Sequence, residues 1–124
     1  MLLVFMAFTM VSCHNTQKST KQEQESEIPN SDHQTIYRLI VSFYSPGNGI
    51  DHEMLQSFSS FLNEKHSSLI YEKVNWGKEG ERDYCFLLNE LKSKQQEDFI
   101  EEAKEVLSSS ERVRVKENQP CKHK

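Results

Sequence analysis

The sequence predicts one small α+β domain with elements in the order β-α-β-β-α-β, and three observations carry that expectation. Short runs rich in β-branched and aromatic residues have strand length, two longer stretches repeat apolar residues at helical spacing, and Gly, Pro and Asn clusters separate them.

Ile36 to Tyr44 (IYRLIVSFY) reads as the first strand, with Tyr37, Leu39, Val41 and Phe43 expected on one face. Ser45-Pro46-Gly47-Asn48-Gly49 breaks it. Met54, Leu55, Phe58, Phe61 and Leu62 then mark an amphipathic helix from about Asp51 to Lys65, with Asp51 as its N-cap and Ile50 stapled onto Leu55. Leu69 to Trp76 forms a second strand, Gly77-Lys78-Glu79-Gly80 a hairpin turn, and Asp83 to Leu88 a third strand. Ser93-Lys94-Gln95-Gln96 has the form of a capping box, and Phe99, Ile100, Ala103, Val106 and Leu107 give the second helix its stripe. Arg112 to Lys116 alternates charge with valine, as an edge strand does. This is the ferredoxin-like split motif. Right-handed crossovers make it an antiparallel sheet ordered 4-1-3-2, with both helices on one face.

The chain has 124 residues, 27% charged, 35% hydrophobic, with a formal net charge of −4. That suits an ordinary folded domain and gives no sign of a nucleic-acid partner, which would call for a basic stripe. Lys and Arg are interspersed with Glu and Asp in the second half, so no basic patch stands out. With both ends set aside, roughly 85 residues form the core, enough to bury about 60% of the unfolded surface and too few for a deep enclosed cavity.

Residues Met1 to Thr9 (MLLVFMAFT) are apolar and uncharged, too short a run to span about 30 Å of hydrocarbon as a helix, and the chain turns polar directly after Met10-Val11-Ser12-Cys13. This leader resembles the bacterial lipobox, although no Lys or Arg precedes the apolar run. The resemblance implies a signal peptide over 1–12 and lipidation of Cys13. A membrane partner through that anchor and an extracytoplasmic place in a bacterial cell envelope follow from it. An ordinary cleaved signal or an uncleaved anchor is the alternative. Residues 13–34, rich in Gln, Glu, Ser, Lys and Thr, read as a tether. The domain then covers 35–118 and a tail 119–124.

In the expected topology the Ser45–Gly49 loop adjoins the Trp76–Asp83 hairpin. Tyr44, Ser45, Asn48, Asp51, His52, Trp76, Lys78, Glu79, Glu81, Arg82 and Asp83 would share one rim, the candidate binding site. The bland alternative is that glycines make the turns and the charges solvate loop tips. The helix start after Pro46 favours anions but lacks a P-loop or dinucleotide pattern. Asp51 and His52 with the hairpin acids could serve a small enzyme, hydrolysis being the reaction considered, with Ser45 the only nearby nucleophile, or a metal site without a recognised ligand spacing. No cofactor is implied. His66 is expected to be a solvated loop residue.

Cys85 and Cys121 are either bridged or free. Strands 3 and 4 flank strand 1 and so lie about 9.5 Å apart, and a bridge requires the tail to fold back over the sheet. The face away from the helices is expected to be open, showing Ile36, Arg38, Ile40, Ser42 and Tyr44, with Tyr71 and either Tyr84 and Phe86 or Cys85 and Leu87. Such a face would suit a second copy or a protein partner.

The segments Tyr44–Asp51 (YSPGNGID) and Trp76–Cys85 (WGKEGERDYC) resemble a family of small proteins from Bacteroidetes-type bacteria, the similarity running from about Ile36 to Cys121. It implies a bacterial source and lends weight to the two loops. No activity is assigned to that family, so the resemblance implies no catalytic residue. The function expected from the sequence is therefore a tethered, non-enzymatic binding module.

Overall fold

Alternating apolar residues in the strands and helical stripes between them bury one common surface. A computed structural model describes residues 34–124; the expected signal peptide, Cys13 and nearly all of the expected tether lie outside the described residues. The elements are β1 (Ile36–Phe43), α1 (His52–Lys65), β2 (Tyr71–Asn75), β3 (Arg82–Phe86), α2 (Ser93–Leu107) and β4 (Val113–Pro120). The strands form one antiparallel sheet ordered β2-β3-β1-β4, which is the ferredoxin-like arrangement.

Leu39, Val41 and Phe43 of β1 and Tyr84 and Phe86 of β3 meet Phe58, Phe61, Leu62, Phe99, Ile100, Ala103 and Leu107 of the two helices in the main core. Aromatic rings dominate it, with Phe58 within 5.4–6.5 Å of Phe43, Phe61, Tyr84 and Phe86. Asp51 caps α1, its Oδ1 accepting from the Met54 amide at 2.9 Å.

Several expectations need correction. The N-cap of α2 is Lys92, one residue before Ser93, and the Lys92 amide donates to Gln95 Oε1 at 3.0 Å. His66 is the C-cap of α1, wedged edge-on between Phe61 and Phe99 at 4.8 Å from each and 3.3 Å from Glu102. Apolar rings on both sides leave it half-buried.

Tyr37 leaves the face of Leu39. The β1–β4 ladder lacks an Arg38–Asn118 pair, and Asn118 adopts φ 52°. Alternation slips there, so Tyr37 packs with Ile40, Cys85 and Cys121 on the far side, while Arg38 reaches Glu117.

β4 runs on to Pro120, so residues 119–124 belong to the domain rather than to a separate tail. Proline lacks an amide hydrogen and is tolerated at this sheet edge. Beyond it the chain turns back across β1. Cys121 reaches Cys85 in a disulfide with Cα atoms 6.3 Å apart, and Ile40 joins both cysteines in a second, small cluster. The face opposite the helices is thus closed in part by the chain's own end.

Candidate functional site

The Ser45–Gly49 loop and the hairpin meet. Ser45 Oγ donates to the Glu79 carboxylate and accepts from the Gly47 and Gly49 amides at 3.0 and 2.8 Å; the Gly49 amide also lies 3.3 Å from Glu79. Gly80 packs on Ile50. Inside the hairpin, Glu81 is buried and its Oε2 accepts from the Glu79 amide at 2.8 Å, directly against Gly77, which adopts φ +68°.

Of the other rim candidates, Tyr44, Asp51, Trp76 and Asp83 are engaged away from this contact. Asp51 turns to the α2–β4 connection, where Oδ2 accepts from Ser110 Oγ at 2.7 Å. That hydrogen bond, then the Met54 amide, with Arg112 nearby, holds its carboxyl below the usual aspartate range. Both Asp51 oxygens are therefore engaged in holding α1 and the β4 approach together. Tyr44 donates to the Glu111 carbonyl at 2.6 Å and lies beneath the Arg114 guanidinium at 4.0 Å. Arg82 Nε donates to Gly80 O at 3.1 Å. Asn48, His52 and Lys78 are exposed.

Trp76 and Asp83 belong to the far sheet face instead of the rim. Asp83 is paired with Ser42 across the β1–β3 ladder and is 1% exposed. Its Oδ1 accepts from Trp76 Nε1 at 3.0 Å, and Oδ2 lies 2.7 Å from His123 Nδ1. The His123 ring stacks on Trp76, with centroids 3.9 Å apart. Next to it, Lys124 Nζ bonds Tyr37 Oη at 2.9 Å and Glu72, so the last residues form a polar clasp over the disulfide. Lys124 is the main cause of the lowered Glu72 carboxyl, with Tyr37 second.

Sequence reasoning missed His123, Lys124, Ser110 and Arg112. The period-two pattern ends visibly at Lys116, and nothing in Asn118-Gln119-Pro120 announces that the strand continues.

On strand 3 the alternative with Cys85 and Leu87 on the open face holds, whereas Tyr71 does not join them there. Phe86 pairs with Leu39 and turns to the helices with Tyr84, while Tyr71 packs at 5.1–5.5 Å from both rings. What remains beside the clasp is an apolar groove of about 180 Å³ between Tyr37, Ile70, Glu72, Cys85, Leu87 and Glu90. Ile70 is 73% exposed and Leu87 38%, and β2 beside them is a free sheet edge. Ile70 is held in place by its amide, which donates to Glu90 at 2.7 Å. Among the described residues, no three His, Cys, Asp or Glu side chains gather to hold a metal ion. No described helix is long and apolar enough to cross a membrane.

No protein-family model matches this chain, and comparison with curated proteins and with solved structures finds no match.

Proposed function

We propose that the chain is a membrane-tethered, non-enzymatic binding module that holds an extended segment of a partner protein along β2. The observation that carries this reading is the apolar groove beside an unpaired strand edge. An added strand would satisfy the free backbone groups of β2 and place one apolar side chain in a space of side-chain size. Exposed Ile70 and Leu87 flank it, an arrangement a small domain otherwise avoids. Tethering through Cys13, the reading of the leader, would bring the module to partners of the cell envelope.

The test places a photo-crosslinking residue at Leu87 and, separately, at Glu97 on α2, in cells. The reading expects one discrete protein adduct from position 87 that Ile70→Lys abolishes. Adducts of equal yield from both positions would defeat it.

A hydrolytic reading survives in altered form. Asp51 is committed to the α1 cap, so the acid–base pair would be Asp83 and His123, with Ser42 lining the same small hollow. Ester turnover by the full chain that His123→Gln removes would favour it over the binding module.

A further inference from the structure

In sequence the basic residues of the second half alternate with acidic ones, but strand geometry sorts them. Val113 and Val115 pack on the main core and Glu117 bonds Lys104 of α2, so the odd positions of β4 face the helices. Arg114, opposite Ser42, and Lys116, opposite Ile40, therefore face the other way. The returning chain adds Lys122 to the hollow that Lys116 and His123 line. Among the described residues, Arg114, Lys116 and Lys122 have no ion-pair partner. The acids on this face are engaged, Asp83 by Trp76 and His123, Glu72 by Lys124 and Glu90, at the groove, by the Ile70 amide. The opposite side is acidic, since α2 exposes Glu97, Glu101 and Glu105 beside the paired Lys94 and Asp98.

We infer that the β1–β4 half of this sheet face rests on an anionic lipid surface. A planar surface meets one side of the domain only, so it gains from the cations while the acidic helices point away. A polyanion long enough to wrap the domain would meet both. Gln34 and Thr35, the first described residues, lie on the same face, bordering a hollow with Tyr37, Cys121 and Lys124. About 20 residues separate Cys13 from Gln34. Each Lys or Arg near such a surface raises partitioning about fivefold, and the effect fades beyond a screening length of about 8 Å at physiological salt. That a lipid surface is near at all rests on the tether reading above; the sorting of charge does not.

Lysine acylation of the full chain on vesicles, read by mass spectrometry, tests this. Vesicles of phosphatidylcholine alone are compared with vesicles a quarter of which is phosphatidylglycerol. On the anionic vesicles Lys116 and Lys122 are expected to react at least threefold more slowly, Lys94 on α2 to be unchanged, and high salt to erase the difference. Equal reactivity on both vesicles, or protection of Lys94 instead, would overturn the inference. So would retention on a nucleic-acid column that anionic vesicles fail to compete away. The same spectra show whether Cys13 is acylated. An unmodified Cys13 would sink the tether reading, whereas phosphatidylglycerol-dependent protection measured with excess vesicles would still support the face.

Discussion

His123 Nδ1 lies 2.7 Å from Oδ2 of Asp83, a carboxylate 1% exposed, so the second-last stretch of the chain completes the solvation of a charge buried in the sheet. A buried carboxylate is tolerated only with such partners, and Trp76 Nε1 supplies the other. The last residues are therefore part of the fold, and they define one wall of the face on which both proposed surfaces lie.

Ending the chain after Cys121 removes Lys122, His123 and Lys124 and leaves one Asp83 oxygen without its partner. Losing a hydrogen bond to a charged group costs about 1.5–3 kcal/mol, and stability should fall by that order. Trp76 is the only tryptophan, so its emission reports the loss directly: it should shift to longer wavelength. Lys122→Ala should change neither denaturant midpoint nor emission.

The Cys85–Cys121 bridge spans 36 residues and restricts the unfolded chain by about 4 kcal/mol on the chain-entropy model. For a domain this size each kcal/mol moves the melting temperature roughly 4–8 °C. Cys85→Ala with Cys121→Ala should melt at least about 10 °C below the oxidised protein. Thiol titration in denaturant without reductant should find neither cysteine free.

Asp51→Ala removes the α1 cap and the Ser110 link together, at a cost of about 1–2 kcal/mol. The folded carboxyls of Asp51 and Glu117 are held low, Asp51 chiefly by Ser110 and Glu117 chiefly by Lys104 and then Arg38. A depressed carboxyl contributes stability above its unfolded value, near 4, and loses it as pH falls through the folded value. Thermal midpoints should be flat near neutrality and drop below about pH 4. The Asp51→Ala protein should show a shallower acid-side drop.

The element order and the helix-facing residues were legible in the sequence because Leu39, Val41, Phe43, Phe58 and Phe99 obey strand or helix periods. So was the meeting of Ser45 with the hairpin, which follows from strand order alone. Three things were hidden. Strand 3 alternates apolar residues on both faces, so only its pairing with Leu39 shows that Phe86 faces the helices. Asn118 breaks the alternation of β4 and turns Tyr37 over. The clasp depends on Cys121 crossing β1, a return path that no local pattern encodes.

Gly77 holds the hairpin against Glu81. It adopts φ +68°, and a Cβ there would collide with the Glu81 carboxylate. Gly77→Ala should destabilise by about 1–3 kcal/mol, from backbone strain and the displaced buried acid, whereas Lys78→Ala should lie within about 0.5 kcal/mol of the parent. Urea unfolding of both variants checks the pair.

The free edge of β2, beside the groove, is the feature on which the binding account stands. Backbone amide exchange of the full chain, alone and with the protein recovered from the Leu87 crosslink, tests it most directly. The account predicts slower exchange in Tyr71–Asn75 on binding, with the amides of α1 and α2 unaltered. Protection confined to the helices, with β2 exchanging as in the free chain, would contradict it.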